Sequence, residues 1–130
     1  MLEGSCLCGQ LRWTFDGAPE SATACNCTAC RRYGVLWIYG YEGEDVALTG
    51  TARAYVRGDR ELEFLFCGVC GSVASWRALS TDEDGRRRMA VNVRLADPEA
   101  VAALPVDHFD GFGAFEGRGR DGRCVKDMWF

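Results

Sequence analysis

Histidine is nearly absent from this 130-residue sequence, with His108 the only one. No cysteine cluster in the chain therefore has a histidine close by in sequence to complete it. Long apolar runs are missing as well, and since a spanning helix needs about 20 consecutive apolar residues, membrane insertion is not expected. The amino end, Met1-Leu2-Glu3-Gly4-Ser5-Cys6, carries neither a positive stretch nor an apolar core, so nothing there reads as a secretory signal. A cytoplasmic, reducing location is the resulting expectation, and there thiols meet metals more often than each other. Positive charge is also in deficit. The formal net charge is −4, which argues against tight binding of nucleic acid, a task that draws on a broad basic face. The basic spot Arg86-Arg87-Arg88 follows Asp82, Glu83 and Asp84 and reads as a solvated turn of mixed sign.

What the chain does have is cysteine, eight in all. Three lie within six residues in Cys25-Asn26-Cys27-Thr28-Ala29-Cys30, a spacing too tight for separate disulfide loops and suited to gripping one soft ion such as zinc. A closed structural zinc takes four protein ligands, and this stretch offers three, which leaves a position where chemistry can occur. Two pairs flank it. Cys6-Leu7-Cys8-Gly9 precedes the first clear strand, and Cys67-Gly68-Val69-Cys70-Gly71 has the shape of a zinc knuckle, with glycine where the backbone must turn toward sulfur. One pair from each half would make a four-thiolate site that clips distant loops together.

Spacing alone leaves other arrangements open. Cys67 and Cys70 can instead join two of the three central thiols, leaving Cys6 and Cys8 loose, or several thiols can hold an iron–sulfur cluster. Disulfides are the least expected arrangement in a reducing compartment. Cys124 stands apart and reads as a free thiol. If seven thiols ionise and two zinc ions bind, −4 − 7 + 4 takes the net charge to −7.

The rest of the chain, expected to form one domain over residues 1–130, is a series of short strands between turns. Gln10 to Phe15 puts Leu11, Trp13 and Phe15 on one face, the alternation of a half-buried strand. Val35 to Tyr41 is rich in β-branched and aromatic residues and reads as a largely buried strand. Further strands are predicted at Val46 to Thr49, Ala52 to Arg57, Glu61 to Phe66, Val73 to Trp76 and Met89 to Val93, separated by Gly50, Gly58-Asp59, Gly71 and Asp84-Gly85. A single short helix is predicted near residues 98–104, with Asp97 as N-cap, Pro98 at the first helical position and Pro105 as the stop. The glycine-rich tail from Gly111 to Gly122 reads as loop. The fold class is therefore mainly β, built of small antiparallel sheets.

Three ordered motifs carry a resemblance: Gly4-Ser5-Cys6-Leu7-Cys8-Gly9, Cys25-Asn26-Cys27-Thr28-Ala29-Cys30-Arg31-Arg32-Tyr33-Gly34 and Phe66-Cys67-Gly68-Val69-Cys70-Gly71. With Val91 to Pro98 and His108-Phe109 further on, the chain resembles the glutathione-dependent formaldehyde-activating enzymes, a family with an Mss4-like β fold. The resemblance implies two zinc ions, a structural one on Cys6, Cys8, Cys67 and Cys70 and a catalytic-type one on Cys25, Cys27 and Cys30. It further implies that glutathione and formaldehyde are joined to give S-hydroxymethylglutathione, an activity classed as a carbon–sulfur lyase from the reverse direction.

Around the central cluster, Arg31 and Arg32 are candidates for holding a glutathione carboxylate through the guanidinium fork, or else for offsetting the charge of three thiolates. Tyr33 reads as core beside a strand. His108 reads as a hydrogen-bonded histidine at a strand end, with fourth ligand or general base as the sharper alternative. Trp13, Trp37, Trp76 and the phenylalanines read as core and pocket lining. An open three-thiol site favours an enzyme acting on a small-molecule thiol and an aldehyde. The contrasting class is a non-catalytic, zinc-stabilised binding module on the same fold.

Overall fold

The structure is a computed structural model and describes residues 1–128. In chain order it forms β1 (Leu2–Ser5), β2 (Leu11–Phe15), β3 (Ala22–Cys25), α1 (Thr28–Tyr33), β4 (Trp37–Tyr41), β5 (Val46–Gly50), β6 (Ala52–Val56) and β7 (Leu62–Cys67). β8 (Val73–Ala78), β9 (Arg88–Asn92), α2 (Pro98–Val101), β10 (Val106–Asp110) and β11 (Glu116–Gly119) follow. The chain is mainly β, as its alternating segments require. Two sheets form, one of three strands in the order β1-β2-β5 and one of eight in the order β11-β10-β3-β4-β9-β8-β7-β6. Every neighbouring pair is antiparallel except β10 and β3, which run parallel with Phe109 opposite Cys25.

The core lies between the sheets. Leu11, Trp13 and Phe15 of β2 are buried on the alternation read from the sequence, and they pack with Leu36, Ile38, Val46, Leu65, Met89 and Val91. A second, smaller cluster gathers Cys30, Val35, Trp37, Phe64, Val73 and Ala90. Because Val35 and Trp37 alternate with Leu36 and Ile38, it occupies the other face of the large sheet, where Cys25 and Cys27 pack against it.

Several expectations change. The helix near 98–104 forms over Pro98–Val101, capped by Asp97, whose carboxylate accepts from the Glu99 N–H at 2.9 Å. A second helix, α1, arises inside the central cysteine motif, where the sequence gives no apolar period. Its signal is local: Cys27 Sγ accepts from the Cys30 N–H as an N-cap, and Gly34 closes it at φ 65. The tail expected to be loop contributes β11, because β10 offers an open edge to pair with. Strands β1, β3 and β10 also lacked a period strong enough to read. Of the phenylalanines expected in the interior, Phe112 and Phe115 stand 72 % and 75 % exposed on the loop after β10, and Phe130 lies outside the described residues. Tyr33, read as core, sits instead at the end of α1 and is exposed, with its ring 5.1 Å from that of Phe64. The Asp82–Arg86 segment is a turn, and Arg86 reaches Glu44 at 2.8 Å across it.

Candidate metal centres and cavity

The quartet is built by two loops from different sheets. Cys6 and Cys8 lie on the β1–β2 connection of the small sheet, whereas Cys67 ends β7 in the large one and Cys70 follows in a tight turn. Their four sulfurs all lie within 4.8 Å of one another. Cys6 Sγ and Cys8 Sγ are 3.7 Å apart, and Cys8 Sγ and Cys67 Sγ 3.6 Å. These separations are far from a disulfide's bond of about 2.05 Å. They match the edge of about 3.8 Å that a tetrahedron of zinc–sulfur bonds near 2.3 Å requires. Donors suited to thiolate surround the sulfurs: the Val69 and Cys70 N–H groups aim at Cys67 Sγ, the Leu11 N–H at Cys6 Sγ, and Gln10 Nε2 approaches Cys67 Sγ at 3.1 Å. The Ser72 hydroxyl and N–H draw the Cys70 pKa down to about 5. The quartet has the donor set and spacing to hold a zinc ion.

The second cluster follows from β3, its turn and α1. Cys25 ends the strand, Cys27 caps the helix and Cys30 lies one turn on, so Cys27 and Cys30 share a helix face. Their three sulfurs lie within 4.8 Å of one another, and no fourth Cys, His, Asp or Glu donor joins them among the described residues. Trp37 Nε1 donates to Cys30 Sγ at 3.3 Å. Two adjacent sulfurs cannot both carry charge cheaply. The Cys30 thiol, together with the Cys27 and Gly111 N–H groups, lowers the Cys25 pKa to about 6, while the same Cys25 contact and burial push Cys30 upward. Such a trio can hold a soft cation, and its protein donors leave coordination incomplete.

The loop after β10 covers this trio and is tied to it through Asp110. That carboxylate, 2 % exposed as a residue, accepts from the Gly113 and Ala114 N–H groups, from Asn26 Nδ2 at 3.1 Å and from Arg118 Nη2 at 2.7 Å. The backbone donors lead in holding its pKa well below the usual carboxylate range. Asn26 Oδ1 in turn accepts from the Phe112 N–H. A Cβ at Gly111 would fall 2.8 Å from Cys25 Sγ and 2.9 Å from Cys27 Cβ, so only glycine lets the loop lie this close.

Beside the trio opens a cavity of about 540 Å³ whose wall includes Cys25, Cys30, Arg31, Arg94 and His108, together with Arg118, Arg120 and Asp121. Its volume lies within the usual range of small-molecule sites. Of the two arginines singled out in the sequence, Arg31 reaches this wall, with its Nε on Asn26 O and its guanidinium 5.6 Å from the Phe112 ring centroid. Arg32 is exposed, lies outside this wall and donates to Thr28 O. His108 lies within β10 rather than at its end; Nε2 is 3.2 Å from Asp121 Oδ1 without a well-aimed hydrogen bond, and the ring lines the cavity outside the trio. Cys124 Sγ is 3.3 Å from Asp127 Oδ2, away from both clusters. Sequence reasoning did not single out Asp110, which ends β10, or Gly111, Arg118 and Arg120, which lie in a tail whose glycines conceal its pairing with β10.

A model of the family described as glutathione-dependent formaldehyde-activating enzyme matches residues 1–108, a span that contains all seven clustered cysteines. The chain belongs to that family. A crystal structure of a Rhodobacter sphaeroides protein superposes with a TM-score of 0.60 at 21 % identity, covering 80 % of this chain and 98 % of the other, and it supports the fold. No curated protein matches the chain.

Proposed function

We propose that this chain joins a thiol to an aldehyde at the Cys25, Cys27, Cys30 centre, with glutathione and formaldehyde as reactants and S-hydroxymethylglutathione as product. In the reverse direction it is a carbon–sulfur lyase. The observation that carries this reading is a three-thiol cluster with no fourth protein donor among the described residues, two of whose members line a cavity large enough for a peptide-sized ligand. Membership of the family gives the reactants their names.

In the proposed reaction the thiol adds across the carbonyl: a carbon–sulfur bond forms, the carbonyl π pair moves to oxygen, and oxygen takes the proton that sulfur gives up. Cys25, Cys27 and Cys30 would hold one zinc ion, and Cys6, Cys8, Cys67 and Cys70 a second that is structural. Zinc at the trio supplies a charge that favours thiolate over thiol near neutral pH. The chain's own groups do the rest. Trp37 Nε1 and the Gly111 and Cys27 N–H groups fix the sulfurs of Cys30 and Cys25, so little reorganisation is needed when substrate arrives. The cavity wall brings the two reactants together, which contributes part of any acceleration by removing their translational freedom. Arg31, on that wall, is placed to meet an anionic group of the thiol, and Arg32 is not. Residues 1–130 act as one zinc-binding domain on this reading, and free thiols in both clusters suit a reducing cytoplasm.

The test follows S-hydroxymethylglutathione formation by exchange NMR with and without protein, because the reaction also proceeds uncatalysed. Wild-type protein is expected to raise the exchange rate, and Cys27→Ser to return it to background. Serine is itself a strong N-cap, so the variant keeps α1 while removing a thiolate. An unchanged exchange rate with zinc-loaded wild-type protein would end the formaldehyde assignment and leave a zinc-stapled binding module.

A further inference from the structure

The proposed reaction concerns the part of the cavity wall formed by Cys25 and Cys30. The same wall carries charged groups that the reaction does not use. Arg118 and Arg120, with Gly119 between them, line it together with Asp121, and Arg94 lines the same cavity. The chain is acidic overall, at −4, yet four arginines and a single carboxylate face this space. Both Arg118 and Arg120 lie past residue 108, where the family match ends, Arg118 on the strand that the loop-like tail turns out to form and Arg120 just after it.

Each of these two arginines is held from behind by a carboxylate of β10. Arg118 gives Nη2 to Asp110 at 2.7 Å, and Arg120 gives Nε to Asp107 at 2.6 Å. Neither Asp107 nor Asp110 lines the cavity. One donor of each guanidinium is thus used to fix its position, and the other N–H groups of both have no hydrogen bond among the described residues. A guanidinium so fixed loses less freedom on binding and offers the remaining fork to a planar anion. The partly exposed side chains, 65 % and 48 %, remain accessible to ligand.

The geometry points to Arg118 and Arg120 as specificity-determining residues that grip a carboxylate or phosphate of the substrate. On this assignment, thiols that lack such an anionic group are discriminated against. This inference rests on the reading of the cavity as the thiol's site. It adds that selection is exerted by the β10–β11 tail as well as by Arg31 of the cysteine motif.

The test uses a probe that cannot react. S-methylglutathione keeps both carboxylates and has no thiol; its diethyl ester keeps the same peptide with those charges removed. Zinc-loaded protein is titrated calorimetrically with each. The acid is expected to bind at least about tenfold more tightly than the ester, and Arg118→Gln and Arg120→Gln each to weaken the acid by about tenfold while leaving the ester unchanged, as for loss of a charged hydrogen bond. Affinity for the acid is expected to fall with added salt. Arg118→Gln removes a partner from a buried carboxylate and risks the fold, whereas Arg120 pairs with the exposed side of Asp107, so Arg120→Gln keeps the result interpretable. Equal binding of acid and ester, no binding of either, or an Arg120→Gln variant that binds the acid as wild type does would each overturn the inference. Because the probe does not react, discrimination can persist in a protein that fails the exchange assay, and the two failures are told apart.

Discussion

Gly111 has room for a hydrogen and little else, with the Cys25 sulfur and the Cys27 β-carbon both inside ordinary contact distance of any Cβ. Gly111→Ala is expected to force the β10–β11 loop off the trio, costing one of the N–H donors to Cys25. Metal affinity at that centre should fall by about 10–100-fold, the usual effect of disturbing a ligand's support, while the quartet keeps its ion. Competition with a chromophoric chelator reads the two sites separately, and loss of both ions together would refute the assignment. Asp110 acts one bond further out. Its folded pKa is depressed, so its contribution to stability is fully present above the unfolded carboxylate pKa of about 3.9 and is lost only as pH falls through the lower folded value. The melting temperature of Asp110→Asn should therefore lie below that of wild type by a gap that stays constant from about pH 8 to pH 5 and narrows only in stronger acid. A gap that closes between pH 8 and 6 would show that another group is titrating.

Among the elements, β2 carries much of the core and the cysteine loops carry the candidate metal ligands. Trp13 is 1 % exposed and packs so closely under β1 that a Cβ at Gly4 would overlap its ring. Trp13→Ala should cost about 3–5 kcal/mol, measurable by urea denaturation of the metal-loaded protein. β2 was legible because its alternation is strict and one face is buried. α1 was not, since six residues around two metal-ligand candidates have no room for a 3.6-residue apolar period, and their helix is set by the Cys27 cap and Gly34. β11 was hidden for a different reason: glycine-rich residues with no alternation become a strand only because β10 has an unpaired edge. Of the arginines proposed to select substrate, Arg118 sits there and Arg120 just past its end, which is why sequence reasoning turned instead to Arg31 and Arg32.

At the scale of the whole molecule, the quartet joins the three-stranded sheet to the eight-stranded one, and the zinc ion proposed for it would fasten them. Closing the roughly 60 residues between Cys6 and Cys67 in this way would remove unfolded-state entropy worth about 4 kcal/mol by the usual chain-entropy estimate. That is a large share of the 5–15 kcal/mol by which domains are typically stable, about half at the middle of the range. Cys67→Ser should therefore lower the thermal midpoint sharply and abolish cooperative unfolding near physiological temperature, whereas Cys27→Ser should leave the unfolding transition in place and halve the zinc content. Elemental analysis alongside calorimetry checks both, and a Cys67→Ser protein as stable as Cys27→Ser would contradict the division of labour between the clusters.

The sequence by itself determined the cysteine inventory, the mainly β character and the buried face of β2, because these depend on residue type and on periods of two along a single segment. It also carried the family, through three motifs in fixed order. Which thiols meet was left open, since Cys67 and Cys70 had two possible sets of partners; the pairing of the two sheets settled it by bringing the β1–β2 loop against the end of β7. The cavity, the Asp110 clamp and the fixed forks of Arg118 and Arg120 likewise came only from tertiary structure. Each joins residues more than 80 positions apart or depends on a strand edge supplied by another segment, and spacing along a chain does not record either.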